Sequence, residues 1–174
     1  MFIPGILISI FTFPGVIVHE FAHLFFCKLR KVAVFKVCYF RFANPVGYVI
    51  HENTTNFYTT FLISMGPFFV NTLLCLLICL PAYIPINFFN ISHPLSYFLM
   101  WLGVSIGMHA IPSNQDARNL YEQAKEKIKE KNILALISFP IIGLIYVFNI
   151  LRFFWADLAY GVAIGVGLPA LLFK

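Results

Sequence analysis

Charge is scarce in this chain. Of its 174 residues only 11% are charged, seven Asp and Glu against twelve Lys and Arg. A soluble domain carries roughly 25%, so these residues do not furnish a water-facing globular surface. Cysteine is thin as well: Cys27, Cys38, Cys75 and Cys79 make up the whole complement. Cys75 and Cys79 stand one helical turn apart in an apolar run, where small side chains help helices pack, so they read as packing residues and not as a disulfide framework. No internal repeat, low-complexity tract or composition shift marks a second fold, and one domain is expected. The first residues show neither a basic n-region nor a small-residue cleavage site, and they read as a retained span. The net charge of +5 comes from basic residues clustered beside apolar runs, which is a topology signal and argues against a nucleic-acid partner.

Apolar side chains dominate instead, at 60% of the residues with a mean hydropathy of +0.86. That composition predicts an integral membrane protein whose surroundings are a lipid bilayer. Crossing ~30 Å of hydrocarbon takes about 20 residues of helix. Five runs qualify: Phe2 to Cys27 (interrupted by Pro4 and Pro14), Phe57 to Tyr83, Leu95 to Ile111, Ile133 to Leu151, and Phe154 to Phe173. The last two are divided only by Arg152 and its neighbours, which predicts a tight hairpin; four spans is the alternative count. Lys28, Arg30, Lys31, Lys36 and Arg41 follow the first run, Arg118, Lys125, Lys127, Lys129 and Lys131 the third, and Lys174 the fifth. Only Arg152 falls on the other side, and the loop from Ile84 to Pro94 has no charge. The positive-inside rule then predicts an N-terminus outside and a cytoplasmic C-terminus.

Two segments do not qualify as spans. "VAVFKVCYFRF" (Val32 to Phe42), the turn Asn44-Pro45-Val46-Gly47 and "YVI" (Tyr48 to Ile50) predict a β-hairpin, half sunk in the membrane interface because both faces are apolar. "DARNLYEQAKEKIKEK" puts Ala117, Leu120, Tyr121, Ala124 and Ile128 on one helical face among mixed charges, an amphipathic helix over residues 116–131.

The first span carries polar groups in its interior. A charge at the bilayer centre costs at least ~2.5–3.5 kcal/mol, so an intramembrane Glu calls for a function. His19 and His23 are four residues apart, which sets both imidazoles on one helical face with a rise of ~6 Å between them. This is the His-Glu-x-x-His spacing, in which two nitrogens reach one zinc ion while Glu20 stays off the metal as general base and acid for a water on it. Counted back from Lys28, the pair lies ~8–14 Å below the cytoplasmic face. A catalytic zinc needs a third protein ligand, for which Asp116, His109, His51 and Glu52 are the candidates. Asp116 follows the helix-breaking Pro112 and is aimed from an irregular turn, or it serves only as a first-turn residue of the amphipathic helix. His109 is the alternative ligand, or a group that orients one. His51 and Glu52 sit beyond the hairpin, where solvation is expected.

Several stretches together resemble the site-2 protease family of intramembrane zinc metalloproteases. "VIVHEFAHLFFCKLRKVAVFKV" is similar to its first catalytic helix and the strand after it, and "GYV" to its glycine-marked strand. "SMGPFFVNTLL" is similar to the Gly-Pro…Asn signature of its middle core helix, and "PSNQDARNL" to the segment that bears its ligand Asp. Asn71 lies four residues after Pro67 where the family has three, and Ala117 follows Asp116 where the family has Gly. The resemblance covers roughly residues 1–120. It implies an all-α membrane fold with a three-span core over residues 1–132, a membrane-associated β-hairpin, and accessory helices over 133–174. It also implies zinc on His19, His23 and Asp116, Glu20 as the catalytic residue, Asn71 near the substrate, and a transmembrane protein as that substrate; a hydrogen bond between helices is the alternative role of Asn71. A short chain without a PDZ or cystathionine-synthase-repeat domain suggests a prokaryotic plasma membrane. The alternatives are a haem carrier using His19 or His23 opposite His109, and a catalytically silent scaffold.

Overall fold

A computed structural model describes residues 5–91 and 93–173. The parts of the expected first span before Gly5, Ser92 of the 84–94 loop, and Lys174 lie outside the described residues. The fold is mostly helical: α1 (Gly5–Phe11), α2 (Phe13–Leu29), α3 (Phe57–Phe88), α4 (Pro94–Met108), α5 (Asn114–Ile128), α6 (Ile133–Leu151), a 3₁₀ turn (Arg152–Phe154), α7 (Ala156–Val162), a π turn (Ala163–Gly167) and α8 (Leu168–Leu172). Strands β1 (Val34–Cys38) and β2 (Tyr48–His51) pair antiparallel with Val37 opposite Val49 and Cys38 opposite Tyr48. The expected hairpin is there, as is the amphipathic helix, which starts at Asn114 and ends at Ile128.

The expected first span is not straight. α1 and α2 meet at 89°, with Thr12 as the N-cap of α2 and Pro14 in its first turn. Proline fixes its own φ and offers no N–H to the preceding turn, so a helix restarts there more readily than it continues. Among the described residues two helices are long and apolar enough to cross a bilayer: Phe57–Asn87, and Ile133–Phe154, which joins α6 to the 3₁₀ turn. Their outer faces carry Phe69, Leu73, Leu77, Ile133, Leu136, Leu144 and Ile150 exposed, a surface suited to hydrocarbon and not to water.

α3 is the axis of the molecule. α2 packs antiparallel to its first half, with Arg30 Nε on Thr59 Oγ1 at one end and Asn71 Nδ2 on the Gly15 carbonyl at the other. α4 returns along its second half and α5 along its first, where Gln123 Nε2 donates to the Thr54 carbonyl. Ala117, Leu120 and Ala124 of α5 join Phe57 and Met65 of α3 and Ala135, Ile142 and Ile145 of α6 in one apolar core. Close approach comes from small residues. A Cβ on Gly161 would lie 2.8 Å from the Val104 carbonyl oxygen and 3.0 Å from the Met108 nitrogen, and one on Gly165 would press on Cys79. Cys75 and Cys79 are fully buried at these crossings, as packing residues.

The ends of the chain depart from the expected hairpin. α6 runs antiparallel to α5, bringing Asn149 to the Pro112 carbonyl. α7 and α8 then run antiparallel to α4, since Gly161 faces Val104 and Met108 while Gly165 faces Val104 and Cys79. The two runs therefore continue in one direction on different partners. Arg152 sits at their junction beside Ile111 and not at a far end, and α8 heads toward the α3–α4 connection, away from the basic ends of α2 and α5. The tight hairpin expected of these two runs is therefore not formed. The reason is that each run finds its apolar groove on a different helix pair, which hydropathy along the chain does not encode.

Replacing Gly161 by Ala should force backbone apart and lower stability by ~1–3 kcal/mol. Gly143, whose Cβ would meet nothing within 4 Å, is the control: Gly143→Ala should stabilise by about 0.5–1 kcal/mol. Thermal unfolding of both variants in detergent checks the pair.

Candidate metal centre

His19 and His23 face the same side of α2, their Nε2 atoms 3.2 Å apart. Asp116 Oδ1 lies 3.6 Å from His23 Nε2. Among the described residues these three form a possible metal-binding triad, all ligand atoms within 4.8 Å of one another. Two ligands of a tetrahedral zinc at ~2.0–2.1 Å are ~3.4 Å apart, so the observed spacing fits one ion.

The proton bookkeeping points the same way. His19 Nδ1 donates to the His109 carbonyl at 2.6 Å, and His23 Nδ1 donates to the Ile63 carbonyl at 2.9 Å. A carbonyl only accepts, so each Nδ1 carries a proton and each neutral ring keeps its lone pair on Nε2. Two lone pairs and a carboxylate oxygen then face one point with no proton between them, an arrangement that a cation relieves.

Both orienting carbonyls are free for a reason written in the sequence. Residue 67 would normally donate its N–H to Ile63, but Pro67 has none, and the vacated carbonyl takes His23 instead. His109 caps the C-terminal end of α4, where carbonyls have no helical donor, and its oxygen takes His19. The His109 ring turns elsewhere. Thr12 Oγ1 donates to the Ile8 carbonyl at 2.7 Å and accepts from His109 Nε2 at 2.8 Å, tying the α1–α2 bend to the residue that orients His19. Gly15 lets this happen, because a Cβ there would collide with the Ser105 carbonyl and the His109 ring.

Asp116 performs two tasks with two oxygens. Its Oδ2 accepts from Ser113 N at 2.8 Å and Ser113 Oγ at 2.6 Å, and Ser113 Oγ caps the Asp116 amide in return. This capping box occupies one oxygen and fixes the other toward His23. The capping role and the ligand position are therefore compatible.

Glu20 is buried, 8% exposed, in a cleft of about 410 Å³ lined also by His19, His23, His109, Asp116, Arg152 and the β2 residues Tyr48, Val49 and His51. Gly47 packs on Glu20, where a Cβ would fall 2.6 Å from its Cγ. A smaller polar hollow of about 180 Å³ adjoins it, sharing His51, Asp116 and Asn119 and lined by Thr60, Ser64, Glu122 and Glu126. Neither His51, whose Nδ1 meets the Glu52 carbonyl at 2.8 Å, nor Glu52 belongs to the triad.

Asn71 stands apart from the cleft. It is fully buried, its Nδ2 donating to the Gly15 and Ile106 carbonyls at 3.3 and 3.1 Å, and it clamps α2, α3 and α4 together. The residues that sequence reasoning passed over are Thr12 and Arg152; a polar or charged residue within an apolar run was the available signal for both.

No family model matches the chain, and neither the curated proteins nor the solved structures give a match.

Two variants test the orientation of the rings. Pro67→Ala restores an N–H that competes for the Ile63 carbonyl, so zinc affinity should fall about tenfold or more while thermal stability does not fall. Thr12→Val should likewise weaken zinc, on the order of tenfold. Competition titration with a chromogenic chelator, beside wild type and Asp116→Ala, measures each.

Proposed function

We propose that the protein is an integral membrane zinc metalloendopeptidase that cleaves membrane-protein substrates in or near the bilayer, as the resemblance to the site-2 protease family implies. The observation that carries this reading is the convergence of His19 Nε2, His23 Nε2 and Asp116 Oδ1 with Glu20 in the same cleft. Zinc is the ion of choice because two imidazoles and one carboxylate suit it and leave a position open. Zinc, when bound, supplies Lewis-acid polarisation of the scissile carbonyl and makes water a nucleophile at neutral pH.

The protein's own groups do the rest. Glu20 takes the proton of the attacking water and delivers it to the departing amine, a transfer that burial favours by excluding competing solvent. Asp116 and the two imidazoles are held rigid by Ser113, Ile63 and His109, so little reorganisation accompanies the reaction. β2 forms one wall of the cleft and, among the described residues, is paired on one side only, by β1. A substrate in extended form can add to its other side, which opens the peptide carbonyl that a helix would hide.

Ten of the twelve basic residues stand on the α2–β1 and α5 segments, and the α3–α4 loop from Ile84 to Pro94 has no charge. We therefore set the basic segments in the cytoplasm, with the cleft opening toward that side. The α3–α4 loop and α8 lie toward the opposite face. α2, α3 and α4 make the core spans, and α6 with α7–α8 flanks them.

Glu20→Gln should retain zinc and fold while lowering cleavage of a co-expressed membrane protein by ~10²–10⁴-fold. Metal analysis alongside a gel-shift cleavage assay checks it, and undiminished cleavage by the variant overturns the reading.

A further inference from the structure

Arg152 is the cation that the proposed reaction leaves unemployed. It stands at the 3₁₀ turn between α6 and α7, where Trp155 adopts a left-handed conformation (φ 63°) that turns the chain. The turn sets the Arg152 side chain in the wall of the metal cleft, together with His19, Glu20, His23 and Asp116. Between Asn132 and Phe173 the only other charged residue is Asp157, so a guanidinium here is costly unless something uses it.

Its protein partners do not exhaust it. A guanidinium has five N–H donors. Among the described residues one is used, by Nη2 on the Ile111 carbonyl at a long 3.4 Å. Asp157 Oδ2 lies 3.8 Å from Nε, close enough to balance the charge but too far for a hydrogen bond. The other oxygen of Asp157 accepts from the Leu158 amide at 2.9 Å, which holds that carboxylate on its own helix. Neither Glu20 nor Asp116 forms an ion pair with Arg152 among the described residues, although all three line one cleft. The cleft is thus polarised, with carboxylates at the triad and a fork of spare donors on the wall contributed by α6 and α7.

We propose that Arg152 binds a carboxylate of the substrate, so that the site takes peptides carrying a negative group within reach of the guanidinium when the scissile bond lies at the triad. The inference rests on the metallopeptidase reading. A planar fork matches a carboxylate with two parallel hydrogen bonds, and in a low-dielectric cleft such a pair is strong and directional. Without Arg152 the same group would face Glu20 and Asp116 and be repelled. The carboxylate comes from an acidic side chain or from a free chain end; both offer the same two oxygens.

The test uses the zinc-loaded full chain in detergent. The probes are hydroxamates of succinate, glutarate and adipate, each bearing a free carboxylate or, as its neutral counterpart, a carboxamide. Affinity is read by calorimetry and by the fluorescence of the neighbouring Trp155. In wild type, for at least one chain length, the carboxylate should bind ~10–100-fold more tightly than the carboxamide. In Arg152→Gln the preference should vanish while zinc content and carboxamide affinity stay as in wild type. Arg152→Lys, which keeps the charge and loses the fork, should retain a reduced preference and serves if Arg152→Gln does not fold. Two further hydroxamates separate the sources: one whose carboxylate is a glutamate side chain beside an amidated end, and one ending in a free glycine carboxylate. Equal binding of both forms in wild type at every length, or a preference that survives Arg152→Gln, overturns the proposal. Failure of every hydroxamate to bind zinc-loaded protein overturns the metallopeptidase reading itself, and the inference with it.

Discussion

Two backbone carbonyls without helical donors hold the centre of this protein together. The Ile63 carbonyl is vacant because Pro67 has no N–H, and the His109 carbonyl is vacant because α4 ends there. An unpaired buried carbonyl is costly, and in each case an imidazole of α2 meets the need at 2.6–2.9 Å. The same bonds choose the tautomer, which leaves both Nε2 lone pairs facing Asp116. A feature that weakens α3 and α4 as helices is thus what aims the donor set. Pro67, itself fully buried inside α3, looks like a defect until the carbonyl it frees is followed to its partner.

The rest of the packing serves that arrangement. α2 must come close enough to α3 and α4 for its rings to reach both carbonyls, and Gly15, Ala22 and Gly66 provide the room, since a Cβ on Gly15 or Gly66 would run into Ser105 or Phe26. Asn71 locks the same junction from the other side with hydrogen bonds to Gly15 and Ile106. For helices in hydrocarbon, where apolar side chains gain little by leaving lipid, such close backbone contact and interhelical hydrogen bonding are the main sources of cohesion. The breaks at His109–Ser113 and at Arg152 border the cleft that holds the triad. Irregular backbone within a bilayer is tolerated where it lines a polar cavity that satisfies its groups.

The donor cluster was more legible than the topology. His19, Glu20 and His23 stood out because helical periodicity converts a four-residue spacing into a shared face, and no tertiary contact is needed for that step. Asp116 was legible as a candidate only, and its two readings looked exclusive until each oxygen proved to have its own partner. Asn71 allows either a bond to substrate or a bond between helices, and in the fold its Nδ2 takes the Gly15 and Ile106 carbonyls; the polarity of an Asn does not say in advance whether its partners are a ligand or backbone. Arg152 was counted as a topological marker of the far side, because a one-dimensional reading places a charge at the nearest end of a span. The chain instead turns at Trp155 and continues, and the charge lands beside the metal cleft.

Local physics written in the sequence determined the helices, the hairpin, the capped start of α5 and the pairing of two imidazoles with one carboxylate neighbour. Periodicity, proline, turn residues and capping side chains act within a few residues of themselves. Folding in three dimensions alone settled which carbonyl each imidazole takes, that Asp116 closes the triad while His109 orients it, and that Arg152 joins the cleft. Those facts depend on which helix lies beside which, and that is set by the fit of small residues at crossings far apart in the chain, a property of pairs of surfaces that no single segment carries.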